Sequence, residues 1–366
     1  MPELTRRSLI KTAFAGSAAL TLSGCNILPR KAGSEGPQQY TGAIGLPDGS
    51  FAVGATAPDG TMLWKSPVQT RCHSGCNRPG TAEVLFFERR PGWAFYVLNS
   101  KTGEKFHRIE AAEGEHFVGH GVFSADGRFL YAPVNRYEPG EGIIAVYDSH
   151  MQYQRVDTFE LDGTGPHQIT LHPDGQTLIV GLGGILTHPD YDRIKLNLDT
   201  MEPALVLMDR HSGGVLARFQ PSHHQLSTRH VDVAPDGTIY AAYQYQGPAH
   251  ELPPLVARYR NGRYEEISFG ESVHQELGNY IASIVAHPEN DLVAIASPVG
   301  GTALIFNSRT SAVIEKVAIA DCAGVEALAG GDFLVSSGRG KLVRMGKNKP
   351  AAEIARMSVR WDHHLV

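Results

Sequence analysis

Hydrophobic and polar positions repeat along this chain in one pattern, in which two short apolar runs are joined by a tight polar turn. The segments GVFSADGRFLYAP from Gly121, ITLHPDGQTLIVG from Ile169 and VDVAPDGTIYAAY from Val231 are near-copies of one another. Apolar and polar residues alternate within the runs, which is the period of a β-strand. The Asp-Gly pairs suit tight turns because glycine tolerates positive φ. Each copy therefore predicts an antiparallel β-hairpin.

Four further segments follow the same plan with different turns. They begin at Thr41, Gly80, Tyr280 and Gly324, and they turn at Asp48-Gly49, Arg90-Pro91-Gly92, Glu289-Asn290 and Gly330-Gly331. Most of the seven hairpins are followed by a third strand, and several by a fourth. Four short antiparallel strands in a unit of about 49 residues are typical of a β-propeller blade. We therefore predict an all-β, single-domain, seven-bladed β-propeller (WD40/YVTN-like) over residues 40–366, closed by strands from the N- and C-terminal ends.

The beginning of the chain carries a different pattern, which is typical of an export signal. Arg6-Arg7 stand in TRRSLIK, a moderately apolar run follows, and the segment LSGC ends at Cys25. TRRSLIK fits a twin-arginine (Tat) signal, and LSGC fits a lipobox in which the Cys25 thiol is acylated. We predict a signal peptide over residues 1–24 and a lipidated tether over residues 25–39. A soluble periplasmic protein that is cut elsewhere is the alternative.

These signals predict a periplasmic protein that contacts a membrane only through its N-terminal lipid. The apolar run is too short to span a bilayer as a helix of the mature protein. Asn26 is not the Asp that commonly retains lipoproteins at the inner membrane, so we expect the outer membrane to hold the anchor. The formal net charge of -5, without a Lys/Arg-rich stripe, argues against nucleic-acid binding.

The residues in front of the hairpins form a second repeated feature. The first strand of a propeller blade lines the central channel, so the residues at its start meet at one mouth of that channel. Our metal-ligand candidates at or near this position are His120, His167, His230 and Cys322. Imidazole and thiolate ligands suit copper, zinc, iron or haem. The alternative is structural: these groups form hydrogen bonds to neighbouring blades and to trapped water.

Other polar residues are expected at the same mouth. They are His73, Arg229, Asn279 and Tyr280. The last three are placed to contact an anionic or carbonyl-bearing ligand, or they serve only as bonds between blades. We expect His363 and His364 to cap the closing strand, and we identify no catalytic residue.

A long insertion interrupts one blade between its second and third strands. It runs from Gly183 to Pro203 and is too long for a hairpin loop. Its polar residues His188, Asp190, Lys195 and Asn197 are candidates for a partner-binding surface. A surface excursion without function is the alternative.

The remaining cysteines and the absent motifs limit the chemistry. Cys72 and Cys76 form a small-loop disulfide, or one of them pairs with Cys322; the sequence leaves both open. No C-x-x-C-H segment is present, so covalent haem is not expected, and no familiar enzyme motif occurs. We therefore lean towards a non-catalytic protein.

Several segments together resemble one bacterial family, the domain-of-unknown-function family numbered fifteen-thirteen. They include GHGVFSADGR, GPHQITLHPDG, GGILTHP, KLNLDTMEPAL and LSTRHVDVAPDG, and the resemblance runs from about Thr41 to the C-terminus. It implies a Tat-exported periplasmic β-propeller encoded beside imelysin-like and dihaem-peroxidase-like proteins. It further implies a binding or scaffold role in iron acquisition or metal handling, with iron or copper as the metal. The alternative is a metal-dependent periplasmic redox enzyme that works with a dihaem-peroxidase-like partner.

Overall fold

Seven antiparallel sheets follow one another along the chain, and each forms one blade of a β-propeller. The computed structural model describes residues 39–191, 194–347 and 349–366. The predicted signal and tether, with Arg6, Arg7 and Cys25, lie outside the described residues and stay predictions. No helix of the described part is both long and apolar enough to cross a membrane.

Blades 1 to 3 contain the first twelve strands. In chain order these are β1 (Tyr40–Gly45), β2 (Phe51–Thr56), β3 (Met62–Val68), β4 (Cys72–Asn77), β5 (Glu83–Glu88), β6 (Ala94–Asn99), β7 (Lys105–Glu110), β8 (Glu115–Phe117), β9 (Val122–Phe123), β10 (Phe129–Arg136), β11 (Glu141–Asp148) and β12 (Gln154–Glu160). Strands β4 to β7 form blade 2 in chain order. In blade 3, β8 and β9 both pair with β10 and together make an interrupted inner strand.

Blades 4 to 7 contain the strands that follow, together with one helix. They are β13 (Pro166–Leu171), β14 (Thr177–Leu182), β15 (Ala204–Asp209), β16 (Val215–Phe219), β17 (Leu226–Val233), β18 (Ile239–Tyr245), β19 (Val256–Arg260), β20 (Arg263–Ile267), α1 (Glu271–Leu277), β21 (Ser283–Ala286), β22 (Leu292–Ser297), β23 (Thr302–Asn307), β24 (Val313–Ala318), β25 (Cys322–Ala327), β26 (Asp332–Ser337), β27 (Lys341–Gly346), β28 (Lys349–Arg356) and β29 (Arg360–Leu365). Strands β13 to β28 form blades 4 to 7, with four consecutive strands in each blade, and β29 belongs to blade 1.

Blade 1 is shared between the two ends of the chain and closes the ring. Its order is β29-β1-β2-β3, so the C-terminal strand lies on the channel side of the N-terminal hairpin. The backbones of Thr41 and Val366 exchange two hydrogen bonds of 3.0 and 2.9 Å. The predicted seven-bladed propeller and its closure by both terminal strands are therefore confirmed.

The cores lie between adjacent blades, where alternating apolar side chains of neighbouring sheets meet. Between blades 2 and 3, the rings of Phe87, Phe95 and Phe117 pack with centroids 5.1 to 5.9 Å apart. The outermost strands face solvent and are more polar, and Leu216 on β16 is 61% exposed. Burial between blades thus holds the inner strands around the channel.

The inner strands begin at one end of the propeller, which we call the front face. Pro166 at the start of β13 pairs with Leu182 at the end of β14, so the Gly183 to Pro203 insertion leaves from this face. Helix α1 joins β20 to β21 on the same side. The sequence pattern did not predict this helix because seven residues are too few to show a helical period.

Removal of the Trp361 ring tests the closure of blade 1. This ring is 2% exposed on β29, beside Gly42 of β1. We expect Trp361→Ala to lower the free energy of unfolding by roughly 3–5 kcal/mol, because it leaves a cavity at the closing seam. Urea unfolding followed by circular dichroism measures the change. Leu216→Ala is the exposed control, and an equal effect of both substitutions would contradict the role of the seam.

Candidate metal centre

Irregular strand pairing marks the start of the inner strands and places histidines at the channel. In blade 2, the segment from Cys72 to Gly75 advances three residues while its partner strand advances two, and His73 lies inside it. Comparable irregularities contain or border His120, His167, His230 and the run from Asp362 to His364. An extra residue bends the strand and changes the direction of its side chains. The bulges therefore allow the imidazoles to turn towards one another.

Five imidazoles from five blades meet in a closed arrangement. Four of them form a cycle whose neighbouring ring centroids lie 4.8, 5.0, 5.1 and 5.7 Å apart, in the order His73, His364, His230, His167 and back to His73. The fifth ring, His120, contacts all four at 4.7 to 5.9 Å. We call these five residues the imidazole cluster. Its connectivity is that of a four-sided pyramid with His120 at the apex.

Six of the eight ring spacings suit ligands of a single ion. With a metal–nitrogen distance of about 2.1 Å, the metal lies roughly 3.2 Å from a ring centroid, so neighbouring rings are about 4.5 to 5.2 Å apart. Donor atoms of His73, His120 and His364 lie within 4.8 Å of one another, and so do those of His120, His167 and His230. These two triads are opposite faces of the pyramid and share His120.

Two nitrogens of the cluster have no hydrogen-bond partner. The Nε2 atoms of His120 and His364 are buried and unpaired among the described residues. The two side chains are only 3% and 7% exposed. An unsatisfied buried polar atom costs about 1–3 kcal/mol, so such atoms in a folded protein usually have a function or a missing partner. A metal ion would satisfy both.

A glutamine fixes the proton of His230. The Nε2 of Gln168 donates to the carbonyl of Val231 at 3.0 Å, so its Oε1 faces His230 Nδ1, also at 3.0 Å. An amide oxygen only accepts hydrogen bonds, and therefore His230 carries its proton on Nδ1. Its Nε2 lone pair is left free for a ligand, which is the usual arrangement around metal-binding histidines.

Asp362 plays the same part for His73. One carboxylate oxygen accepts a 2.8 Å hydrogen bond from His73 Nδ1, and the other accepts one from Arg71 Nε. Asp362, His73 and His363 also form a third group of possible ligands. Because both carboxylate oxygens already have partners, we assign Asp362 to orienting His73 and not to direct coordination. Burial alone would raise the pKa of Asp362, but the bond from His73 holds it well below its usual value.

The imidazoles are neutral at physiological pH. Burial, followed by the charge of neighbouring histidines, lowers the pKa of four of them well below 6.5, namely His120, His167, His230 and His364. Burial also lowers the pKa of His73, against the opposing effect of Asp362, and that of His363 to about 3. Neutral imidazole is the form that binds metals.

The structure brings together His120, His167 and His230, but it places the fourth ligand candidate elsewhere. Cys322 donates its thiol to the Ser297 carbonyl at 3.3 Å and packs in the apolar core of blade 7. Blades 7 and 2 share the same irregular register, which aligns Cys322 with Cys72 and Ala323 with His73. The thiol is therefore one residue away from the position that faces the cluster.

His364 is the member of the cluster that the sequence analysis missed. It was expected to cap the closing strand together with His363. In the structure β29 is the inner strand of blade 1, so its histidines take the same place as those at the front of other blades. The available signal was the closure itself: a C-terminal strand on the channel side has to contribute channel residues.

The other residues expected at the mouth have separate roles. Arg229 is buried beside the cluster. Burial lowers the pKa of its guanidinium, and nearby Tyr280 opposes this effect. Asn279 instead donates its side-chain amide to the carbonyls of Glu251 at 2.9 Å and Ala249 at 3.4 Å. Asn279 thus ties the front-face loops together.

The inserted loop is anchored at its base and exposed at its tip. Asn197 accepts a bond from the Leu186 backbone and donates to the Gly184 carbonyl. His188 packs against Tyr137 with ring centroids 5.3 Å apart, and Lys195 donates to the side chain of Gln246. Its exposed residues include Asp190, Tyr191, Ile194 and Leu196.

The three described cysteines, Cys72, Cys76 and Cys322, are free thiols. Neither of the two disulfide pairings considered from the sequence is formed. Burial raises the pKa of Cys322 to about 12, so this thiol stays protonated.

Comparison with known proteins confirms the family resemblance. The family described as "Protein of unknown function (DUF1513)" matches residues 66–366, and the chain therefore belongs to this family. A search of the curated proteins gives no match. Among solved structures, a chain of Kuenenia stuttgartiensis Hydrazine Synthase is similar, with 15% identity and a TM-score of 0.65. The match covers 87% of this chain and 99% of that one, and at this identity it shows a shared fold alone.

The buried neutral histidines make stability depend on pH. Between about pH 6.5 and 3 the unfolded chain binds protons on these residues while the folded chain does not. We therefore expect the free energy of unfolding of metal-free protein to fall as pH drops through this window. Each such histidine contributes at most about 1.4 kcal/mol per pH unit.

Urea unfolding at several values between pH 7.5 and 4 measures this slope. His364→Gln removes one titrating group and should flatten it, whereas His250→Gln replaces an exposed histidine and should leave it unchanged. Equal slopes in wild type and His364→Gln would contradict the neutral burial of His364.

Proposed function

We propose that this member of the DUF1513 family binds a transition-metal ion in its channel through the imidazole cluster. The observation that carries the proposal is the pair of buried, unpaired Nε2 atoms of His120 and His364. The hydrogen bonds that His230 donates to Gln168 and His73 donates to Asp362 support it. Each uses the Nδ1 proton and leaves the Nε2 lone pair of that ring free for a ligand.

Copper is the ion that this arrangement favours. Imidazole ligands suit copper, zinc, iron and nickel, and four imidazoles arranged in a cycle can supply the tetragonal set of nitrogens that suits copper(II) or nickel(II). Copper and iron are also the metals that the sequence analysis expected. We place copper(II) first because the pyramid supports it, and we keep iron(II) as the ion to compare.

We infer a role in metal acquisition or handling, as a binding component and not a catalyst. The Tat-like and lipobox-like segments at the start of the chain support a periplasmic location with a lipid anchor at Cys25. Labelled palmitate incorporated into wild type but not into Cys25→Ser would support the anchor. Equal labelling of both proteins would contradict it.

The inserted loop is the proposed contact for imelysin-like or dihaem-peroxidase-like partners. Its exposed apolar side chains Tyr191, Ile194 and Leu196 support a protein contact, because they gain from being covered. We expect Ile194→Ser with Leu196→Ser to weaken binding of a purified imelysin-like protein about tenfold in surface plasmon resonance. Leu216→Ser, on an outer strand, is the control. Unchanged binding by the loop variant would remove the loop from the proposal.

Titration of metal-free protein tests the metal site. We expect copper(II) to bind with one equivalent in calorimetry and to give a tetragonal nitrogen-ligand signal in electron paramagnetic resonance. His120→Ala with His364→Ala should weaken binding by on the order of 100-fold or more, and Gln168→Leu by about tenfold. Iron(II) and zinc(II) titrations rank the metals.

His250→Ala is the matched control, since this histidine is exposed and outside the cluster. If wild type binds no more copper than the His120→Ala/His364→Ala variant, the metal proposal is wrong. Circular dichroism spectra of all variants separate loss of binding from loss of fold.

A redox enzyme that works with a dihaem-peroxidase-like partner is the second candidate. The imidazole cluster supports it, because imidazoles bind copper and iron, two metals that change oxidation state. It predicts turnover of an electron donor with an artificial acceptor by the copper-loaded protein. A binding component holds the metal without such turnover.

A further inference from the structure

Arg229 is a buried cation for which the part of the chain that the structure describes shows no counter-ion. It lies on β17 directly before His230 and is 6% exposed. Its Nε atom is buried and unpaired, and no described residue forms a hydrogen bond or an ion pair with its guanidinium. Arginine remains charged in proteins, and an unpaired buried charge is strongly destabilising. Such a group persists when an anion is available to it.

The other charges near Arg229 do not neutralise it. The guanidinium is close enough to affect His120, His167 and His230, and Lys195 of the inserted loop experiences it as well. Asp362, the buried carboxylate next to the cluster, already accepts hydrogen bonds from His73 and Arg71. Among the described residues, the positive charge of Arg229 is therefore felt by the cluster and by Lys195 and is favourable for an anion.

The backbone approaches the guanidinium closely at Gly183, the first residue of the inserted loop. A Cβ at this position would lie 3.4 Å from Arg229 Cζ, 3.0 Å from Ser227 Oγ and 2.9 Å from the Gly165 carbonyl oxygen, so a side chain here would crowd the guanidinium. Ser227 Oγ donates to the Gly183 carbonyl at 2.8 Å and fixes this strand end. Tyr280 is half-buried, and it is near enough to affect the pKa of Arg229.

We propose that Arg229 binds a small planar anion, a carboxylate or a carbonate-like oxyanion, at the front of the imidazole cluster. The fork of the guanidinium matches two coplanar oxygens and binds them through two parallel hydrogen bonds. The inference rests on the unpaired cation and its surroundings and holds without a metal in the cluster. An anion there would also lie beside an ion held by the five imidazoles.

The test uses metal-free full-length protein at constant ionic strength. Acetate and citrate represent organic carboxylates, bicarbonate represents the inorganic oxyanion, and chloride is the reference anion. We expect at least one planar anion to raise the melting temperature with a saturable dependence and to bind at least tenfold more weakly to Arg229→Met. A saturable response to acetate or citrate would identify an organic carboxylate as the ligand, and a saturable response to bicarbonate would identify an inorganic oxyanion.

A second readout separates anion binding from a structural role. Without anion, Arg229→Met should be at least as stable as wild type, because it removes a buried charge and keeps the side-chain volume. The control Arg258→Met removes a guanidinium that is paired with Glu265; it should lose stability and keep the anion response. Destabilisation of Arg229→Met in chloride would overturn the proposal.

Absence of a saturable response in all three arms, or an equal response in Arg229→Met, would also overturn it. Neither outcome affects the metal titration, because the anion experiment contains no metal. Conversely, the His120→Ala/His364→Ala variant should keep the anion response. Failure of the metal proposal can therefore be distinguished from failure of the anion proposal.

Discussion

The pairing of β1 with β29 is the interaction on which the rest of the structure depends. It joins residues 325 positions apart and converts a row of seven sheets into a ring. Because β29 lies on the channel side, it carries His364 into the imidazole cluster and Asp362 to His73. An open row of blades would hold neither contact, and the histidines of blades 2 to 5 would lack their fifth member.

Within that ring, the channel departs from the regular strand pairing and the complete hydrogen bonding that are usual in a protein interior. Inner strands normally keep a regular ladder, yet those of six blades contain a bulge or interruption near their start. Within the described ranges, the Nε2 atoms of His120 and His364 and the Nε atom of Arg229 are buried without hydrogen-bond partners. Such violations of packing rules concentrate at functional sites, where a ligand recovers the lost interactions. The metal ion and the anion proposed here account for different members of this set.

Much of the fold was predictable, because the alternation of apolar residues and the Asp-Gly turns are local signals that repeat seven times. The convergence of His120, His167 and His230 followed from their equivalent places before three hairpins. The prediction that Cys322 joins the histidines was wrong, because a shift of one residue in a bulged strand decides which side chain faces the channel. Gln168, Asp362 and the unpaired state of Arg229 depend on contacts between distant residues, and no local pattern encodes them.

Anomalous diffraction from crystals soaked with copper(II) tests the central claim most directly. The account predicts one strong peak in the channel, within about 2.2 Å of nitrogen atoms from His120, His364 and at least two other members of the cluster. Peaks confined to surface histidines such as His223 and His224, with none inside the channel, would contradict it.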